Sequence, residues 1–479
     1  MSVGSGEPRQ TPVRRSWRNV LEVYSQPRVA SMLFLGFSAG LPFYLVFSTL
    51  SAWLRQSGIH RGTIGMLSWV GILYSIKFLW APLVDRLRLP VIQRLLGRRR
   101  AWMLLAQVGI VIGLANLAAA DPASGVRPVA LMALFVAFCA ATQDVALDAW
   151  RIESAPLSQQ GALVAAYQIG YRAALIMGSA GALTIAARAN WHASYSTMAA
   201  FGGVGIVTTL LIREPRVALS PGAVQREDRV IAWLERNAHW PQWLRHFGEW
   251  FIGAVVCPLT DFFQRYGASL AVLTLGFVGV YRLTEFTMGS MANTFYIDQG
   301  YTLEQIARVV KVYGLLMSVL GVLFAGAFVA RFGVVRSLAL GSVLLIASNL
   351  SFALLARGHE PSVLGLGLVN SLDYLAISTQ GVSLITFLSG LTSQKYTATQ
   401  YALFSSLYAL PGKILEGTSG FVVDQIGYPL FFTYTAALSL PGLLLLFFLN
   451  RRGGVVECQK SPSADASEAS SEARAHVRT

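Results

Sequence analysis

The chain has 479 residues, of which 54% are hydrophobic and only 13% are charged, and its mean hydropathy is +0.52. This composition excludes a soluble protein of such length and predicts a polytopic membrane protein in contact with lipid. The formal net charge of +14 could indicate a nucleic-acid partner. Because Lys and Arg kept in loops on one side of a membrane give the same total, we expect no nucleic-acid partner.

Apolar runs of about 20 residues, the length that crosses the hydrocarbon core, follow a polar and basic tail at 1–28. They form two sets of six, separated by a polar interval at 213–267. The runs lie near 29–54, 62–84, 101–120, 128–150, 161–187 and 193–212, then near 268–294, 303–329, 336–356, 360–389, 397–424 and 428–449. The sequence therefore predicts an all-α fold of two six-helix bundles, 29–212 and 268–449, with about 12 transmembrane helices.

The arginines predict the orientation of these spans. With the N-terminus inside, most loop arginines fall in the cytoplasm, so both termini are expected to be cytoplasmic. The interval 213–267 contains four tryptophans among Arg, Glu and His at 226–250, which fits an amphipathic helix at the interface that joins the halves. The end, 450–479, is rich in Ser, Ala, Glu and Arg and is predicted to be a disordered cytoplasmic tail.

The segment Ala140–Glu153 places four ionisable side chains at the end of an apolar run. Residues 378–385 align on 141–148 without gaps and repeat Thr-Gln, Val and Leu, but they lack both aspartates, Asp144 and Asp148. If the halves share a helix here, the fold does not need these acids. This favours a functional Asp144, and the alternative is a buried carboxylate paired with a neighbouring helix.

The loops after the second and eighth runs also correspond. The first contains Pro82–Arg86 and then Gly97–Arg100, and the second contains Gly326–Gly333 and then Arg336. Both resemble the G-x-x-x-D-R-x-G-R-R signature of the major facilitator superfamily, whose loop latches cytoplasmic helix ends, although Ala330 replaces the Asp in the second copy. The resemblance implies two halves that rock around a midplane cavity.

Within that superfamily the chain resembles the AmpG-type muropeptide permeases. The blocks that carry this resemblance are Leu35–Pro42, Lys77–Arg86, Gly97–Arg100, Ala141–Trp150 and Tyr396–Leu403. It implies proton-driven import, across the bacterial inner membrane, of N-acetylglucosaminyl-1,6-anhydro-N-acetylmuramyl units with or without a stem peptide. Such import serves peptidoglycan recycling and β-lactamase induction. We expect a monomer without cofactors that is not an enzyme.

The polar side chains inside the spans supply the candidate site. A sugar acid needs amide and hydroxyl partners, aromatic faces and cations, and the predicted substrate-binding residues are Tyr44, Lys77, Gln143, Tyr171, Arg172, Arg282, Gln380 and Lys413. The predicted proton-coupling acids are Asp144, Asp148, Glu285 and Asp373. The predicted gating residues are Asp85, Arg86, Arg151, Glu153 and Arg331.

Two features of this set stay open in the sequence. The pairs Arg282/Glu285 and Lys413/Glu416 are each three residues apart, so either could satisfy itself on its own helix. Asp144 is expected to carry the proton, but an ion pair with Lys77 or Arg172 would instead hold it ionised.

Other functions remain as alternatives. A polytopic enzyme would need a nucleophile, base or metal cluster, but the six histidines and three cysteines show no ligand spacing, and no metal is expected. A transporter of another substrate, such as an acetyl-coenzyme A-like anion, a drug exporter and a non-transporting sensor are also compatible. Several cations in the spans favour an anionic or sugar-acid substrate.

Overall fold

The computed structural model describes two long segments of the chain. These are 25–215 except 60–62, 64–66, 88 and 124, and 256–452 except 359–360 and 394–395, with 241, 242, 248 and 252 between them. The predicted Trp-rich helix at 226–250 lies almost entirely outside the described residues, as do most of both predicted tails.

The described residues of the first half form ten α-helices. They are α1 (Pro27–Val46), α2 (Ser48–Gln56), α3 (Ile72–Ile76), α4 (Ala81–Arg86), α5 (Ile92–Leu96), α6 (Arg98–Ala119), α7 (Val126–Ser154), α8 (Leu157–Ile176), α9 (Ala182–Arg188) and α10 (Trp191–Leu211). Tighter 3₁₀ turns at Ser68–Gly71 and Lys77–Leu79 flank α3, and a π-helical segment at Met177–Gly181 joins α8 to α9.

The second half is described as eight further helices. They are α11 (Cys257–Tyr266), α12 (Ala268–Val280), α13 (Leu283–Asp298), α14 (Leu303–Ile306), α15 (Gly314–Phe332), α16 (Val334–Leu355), α17 (Val363–Leu391) and α18 (Thr397–Arg451). A π-helical segment at Ala307–Tyr313 joins α14 to α15. Gly427 interrupts α18 with φ of 72°, a conformation that glycine adopts without a steric penalty. The two arms of α18 correspond to the predicted runs 397–424 and 428–449.

Ten stretches of the described residues are long and apolar enough to cross a membrane. Two predicted runs are not among them: 62–84, whose described part is split into α3, two 3₁₀ turns and the start of α4, and 397–424, which the candidate span Thr418–Arg451 overlaps only at its end. Pro82 explains the 3₁₀ turn at Lys77–Leu79, which separates α3 from α4. It has no N–H for the carbonyl of Phe78, and its ring crowds that carbonyl, which disfavours a regular α-helix at this turn.

Glycines bring α1 and α8 into close backbone contact. A Cβ atom at Gly36 would collide with the carbonyl oxygen of Tyr167, and one at Gly170 would collide with that of Leu33. Only residues without a side chain allow this approach, which maximises van der Waals contact between helices in lipid. α1 and α8 therefore form one closely packed pair inside the first half.

The two halves meet along α8 and α18. α8 packs on α15 and α17, and α18 packs on α4 and α7. Val164 and Ala165 of α8 are fully buried in the same apolar cluster as Phe277 and Phe387 of the second half. The contact between halves therefore contains part of the hydrophobic core.

Candidate functional site

Asp144 lies on α7 and faces a cation from the interrupted helix. The Lys77 ammonium is 4.0 Å from Asp144 Oδ2, and the two side chains are 11% and 16% exposed. Asp144 Oδ1 has no hydrogen-bond partner among the described residues. Lys77 stands on the 3₁₀ turn Lys77–Leu79, so the break near Pro82 sets the position of this ammonium. The arrangement is a loose, partly satisfied ion pair inside a membrane-spanning segment.

Two other cations reach from one half of the protein to a hydroxyl in the other. Arg172 Nη2, on α8, donates to Ser378 Oγ of α17 at 3.4 Å. Lys413 Nζ, on α18, donates to Ser75 Oγ of α3 at 2.9 Å. Among the described residues, no carboxylate oxygen lies within 4.0 Å of either cation. Their charge is therefore available to an anionic ligand.

Arg282 is paired with an acid on its own chain segment. It stands between α12 and α13 and makes two hydrogen bonds to Glu285, one of them Nε to Oε2 at 2.6 Å. Its guanidinium also lies over the rings of Phe286 and Tyr408, each centroid 5.3 Å away. The sequence offered two pairs three residues apart, Arg282/Glu285 and Lys413/Glu416. The first forms an ion pair, whereas Lys413 donates to Ser75 instead.

Gln143 and Gln380 occupy equivalent places in the two halves. Ser38 Oγ of α1 donates to Gln143 Oε1 at 3.1 Å, and Gln380 Nε2 donates to the Tyr281 carbonyl, at the end of α12, at 2.8 Å. Both glutamine side chains are fully buried. Each therefore ties its helix to the first spanning helix of the same half, which gives the Thr-Gln repeat a structural explanation.

The remaining predicted site residues within the spans lie as follows. Asp373 of α17 accepts a hydrogen bond from Ser348 Oγ at 2.8 Å. The ring of Tyr171 is 5.9 Å from that of Tyr167, and the ring of Tyr44 packs edge-on against Phe43 at 5.5 Å. Among the described residues, no group of three His, Cys, Asp or Glu could hold a metal ion.

One end of the first half carries a cluster of charges, which we call the latch: Asp85, Arg99 and Glu153, which are buried, and Arg98, whose side chain is 31% exposed. Arg99, fully buried, donates to Asp85 Oδ1 at 2.8 Å and to Glu153 Oε1 at 2.5 Å. Arg98 adds an ion pair to Glu153 at 3.6 Å. Two carboxylates compensate these guanidinium groups, and the cluster joins α4, α6 and α7.

Glu214, beyond α10, supports the latch from outside the spans. It accepts hydrogen bonds from the backbone N–H groups of Arg99 and Arg100 in the first turn of α6, at 2.7 and 3.1 Å. These bonds satisfy two free donors of the helix N-terminus. Burial raises the pKa of the Glu214 carboxyl, although both N–H groups oppose the rise.

The latch also binds the second half. Asp85 Oδ2 accepts from the backbone N–H of Thr399 at 2.8 Å and from its hydroxyl at 2.6 Å, and Oδ1 accepts from the N–H of Ala398 at 3.3 Å. The carboxylate thus caps the N-terminus of α18 from the other half of the protein. Arg86 is the last residue of α4, and Arg331, in α15, stacks on Phe332 with its guanidinium carbon 5.5 Å from the ring centroid.

Arg151 makes a second contact between the halves next to the latch. Its Nη1 donates to Gln160 Oε1 and to Ser389 Oγ of α17, both at 2.9 Å, and its Nη2 lies 3.3 Å from Asp148 Oδ1. The guanidinium also stacks over Tyr401 of α18 at 5.3 Å. Because Arg151 is only 1% exposed, it holds the two halves together through a desolvated charge.

The architecture and site have the features of a two-half carrier, and comparison with known proteins identifies the family. A model of the Major Facilitator Superfamily matches residues 32–415. The Anhydromuropeptide permease of Escherichia coli K12 is 32% identical over 429 residues, which are 89% of this chain and 80% of that protein. The chain belongs to the AmpG-type permeases of the major facilitator superfamily.

Other relatives and solved structures agree with this family. Putative transporter AmpG 4 of Rickettsia felis is 28% identical over 440 residues, 91% of this chain and all of that protein. The superfamily transporter FucP, in its outward conformation, matches with a TM-score of 0.61 at 13% identity, over 89% of this chain and 99% of that one. The proton:xylose symporter XylE matches at 0.58 and 14% identity, over 91% and 95%. These structural likenesses establish the fold, and the permease relatives agree with a transporter that is not an enzyme.

Several residues that build this AmpG-type site carry no signal of their own in the sequence. Ser75, Gln160 and Ser389 bind predicted site cations, but serine and glutamine are common, and two of these contacts join positions 238 and 338 residues apart. Thr399 lies in one of the family blocks, yet its role as the partner of Asp85 follows only from the geometry. The predicted roles of the site residues remain predictions.

Proposed function

We propose that the protein imports anhydro-muropeptides, with or without a stem peptide, across the bacterial inner membrane. The observation that carries this proposal is the pair Arg172 and Lys413, two cations from opposite halves whose contacts among the described residues are hydroxyls and not carboxylates. A muramic acid unit bears a lactyl carboxylate when free and stem carboxylates when substituted. Either form offers a strong partner to such cations.

The similarity to the permease of Escherichia coli supports this substrate class over an acetyl-coenzyme A-like anion or an apolar drug. Import would serve peptidoglycan recycling and would supply the signal for β-lactamase induction. The residues that supply sugar contacts are proposed to include Tyr44 and Tyr171, with Lys77 and Arg282 as further cations whose acids hold them in place.

Coupling to protons is the second part of the proposal. Asp144 has one unpartnered carboxylate oxygen and only a 4.0 Å contact to Lys77, so it is the acid least committed to a structural role. Glu285 is bound by Arg282, Asp148 by Arg151 and Asp373 by Ser348. We propose that Asp144 takes the proton and that these three acids mainly hold structure.

The latch end of the protein is proposed to face the cytoplasm, as are both termini and the interval 213–267. Its cluster of arginines fits the positive-inside rule. Reporter fusions at Asn237 and at the C-terminus are expected to report cytoplasm. A periplasmic signal at either position would contradict this topology.

Uptake into vesicles tests the function directly. Membrane vesicles containing the protein should accumulate labelled N-acetylglucosaminyl-anhydro-N-acetylmuramic acid when an inward proton gradient is imposed, and a protonophore should abolish the accumulation. Vesicles without the protein are the control. Gradient-independent equilibration would remove the coupling from the proposal, and no protein-dependent uptake would remove the substrate.

A further inference from the structure

Ser75 and Ser378 each accept a hydrogen bond from a cation of the opposite half. Each belongs to the half opposite its cation, each is 5% exposed or less, and each offers a neutral hydroxyl oxygen as the acceptor. Neither was a candidate from the sequence. Two such cross-half contacts, one in each direction, are hard to explain by helix packing alone, since a cation inside a span is costly unless it has a task.

The hydroxyl of Ser378 is fixed by its own half. It donates to the Ser318 carbonyl of α15 at 3.3 Å, which leaves its lone pairs directed at Arg172. The bond from Arg172 is 3.4 Å long, at the weak limit for a hydrogen bond. The second terminal nitrogen of Arg172, Nη1, is buried and has no partner among the described residues. Arg172 therefore donates one weak hydrogen bond, from Nη2 to the neutral Ser378 hydroxyl, and its Nη1 remains unused among the described residues.

A ligand carboxylate is a better acceptor for both cations. Hydrogen bonds from Arg or Lys to an ionised oxygen are shorter and roughly twice as strong as those to neutral acceptors, and a carboxylate can use both nitrogens of a guanidinium at once. Lys413 is exposed at its end of the contact, so an oxyanion can approach it. Each cation has further N–H donors, but the anion is the stronger acceptor, so it draws the cation toward itself and lengthens or breaks the weaker bond to the hydroxyl.

We propose that Ser75 and Ser378 are competing acceptors that an incoming oxyanion displaces from Lys413 and Arg172. The inference rests on the proposed function, because it takes the two cations as the anion-binding groups of the substrate site. It adds that binding breaks two direct contacts between the halves and replaces them by contacts through the ligand. The hydroxyls would then hold the halves together only until a carboxylate-bearing ligand arrives.

Whether the serine-to-alanine variants bind the ligand more tightly or more weakly distinguishes competing acceptors from substrate ligands. If the serines compete with the ligand, Ser75→Ala and Ser378→Ala will bind N-acetylglucosaminyl-anhydro-N-acetylmuramic acid more tightly. The expected gain is roughly twofold to tenfold each, the range that corresponds to the net free energy of one hydrogen bond. If the serines were ligands of the substrate, the same variants would bind it more weakly.

The measurement is equilibrium binding to the purified full-length protein by calorimetry, with two probes. One is the disaccharide with its free lactyl carboxylate, and the other is its lactyl carboxamide, which has the same shape without the charge. Tightening is expected for the carboxylate and not for the carboxamide. Ser383→Ala on α17 and Ser406→Ala on α18 are matched controls, since both hydroxyls are buried and unpartnered, and both should leave the affinities unchanged.

Two further comparisons keep the outcome decisive. The cysteine variants Ser75→Cys and Ser378→Cys replace the hydroxyl by a weak acceptor of similar size. They take the place of an alanine variant that does not fold, and they should also bind the ligand more tightly. In double-mutant cycles, the effect of Ser378→Ala should vanish with Arg172→Gln, and that of Ser75→Ala should vanish with Lys413→Gln. Unchanged or weaker binding in folded variants would overturn the inference, whereas no binding by the unsubstituted protein would overturn the proposed function instead.

Discussion

The Asp85 carboxylate in the first half of the protein accepts hydrogen bonds from the backbone N–H of Thr399 at 2.8 Å and from its hydroxyl at 2.6 Å. One side chain thus caps a helix that begins 312 residues later than Asp85, at Thr397, and its other oxygen accepts from Arg99 at 2.8 Å. The charge is shared between a buried guanidinium and a helix N-terminus. Together with Arg151, which bonds to Ser389, this carboxylate therefore joins the two halves at this end of the protein.

Asp85→Asn should loosen the latch end. The amide keeps the shape but loses the charge that favours the N-terminus of α18 and balances Arg99. Caps of this kind contribute about 0.5–2 kcal/mol, which corresponds to a shift of roughly twofold to thirtyfold between closed and open populations. A cysteine at buried Ala402, in a background without Cys139, Cys257 and Cys458, should then react faster with a thiol reagent.

The control for this prediction is Glu304→Gln on α14. Its carboxylate pairs with Arg308 on the surface, where both side chains are more than three-quarters exposed, so the same chemical change should not alter labelling at Ala402. Equal labelling rates in Asp85→Asn and the unsubstituted protein would show that the cap does not hold this end closed.

Part of this contact was predictable. The resemblance of Pro82–Arg86 and Gly97–Arg100 to the superfamily signature implied a latch at the helix ends. The partner Thr399 was not predictable as such, since a backbone N–H can be supplied by any residue except proline. Position along the sequence does not show which helix N-terminus comes to lie beside an acid.

Inside the site, too, the sequence predicts which residues are present but not which partners they bind. Arg282/Glu285 and Lys413/Glu416 have identical spacing, yet only the first forms an ion pair among the described contacts. Lys413 instead donates to Ser75 on α3, which packs against α18. The sequence predicts an uninterrupted span at 62–84, whereas the structure breaks it near Pro82, and the consequence of this break for Ser75 and Lys77 depends on tertiary packing.

Substitutions of the cations should fall into two classes. Arg172→Ala and Lys413→Ala remove charges that have no carboxylate partner, so they should weaken binding of the disaccharide acid by about tenfold or more, the value of one charge-assisted hydrogen bond. Arg282→Ala should instead lower the thermal stability, since it leaves Glu285 as an uncompensated charge in a span.

Fluorescence-detected unfolding of the purified variants, together with binding measurements, separates the two classes. The double substitution Arg282→Ala/Glu285→Ala should recover much of the stability, because it removes both charges. If Arg172→Ala and Lys413→Ala bound the acid with unchanged affinity while folding normally, neither cation would belong to the binding site.

Gly170→Ala should separate α1 from α8. The added methyl group would collide with the Leu33 carbonyl and with the backbone at Phe37, and backbone on both sides cannot move away locally. We expect a clear loss of thermal stability and membrane yield. Gly203→Ala on α10 is the matched control: nothing lies within 4 Å of its Cβ position, and alanine favours a helix by about 1 kcal/mol. Equal stability of the two variants would contradict the close-contact role of Gly170.

Asp144→Asn should uncouple transport from the proton gradient. The amide imitates the protonated acid in shape and charge, so the variant should still bind the substrate and exchange it across the membrane. It should no longer accumulate substrate against a gradient, because no proton is taken up or released in the cycle. Gly381, the matching residue in the second half, shows that this helix position needs no acid for packing, so the variant should fold.

Vesicles give the two measurements that separate coupling from binding: counterflow exchange of labelled disaccharide, and net accumulation at several external pH values. Asp373→Asn is the matched control, since its carboxylate is also buried but accepts a hydrogen bond from Ser348 at 2.8 Å, a bond that an amide oxygen can replace. If Asp144→Asn accumulated substrate with the pH dependence of the unsubstituted protein, Asp144 would serve only to hold Lys77 in place. Loss of accumulation in Asp373→Asn instead would move the coupling role to the second half.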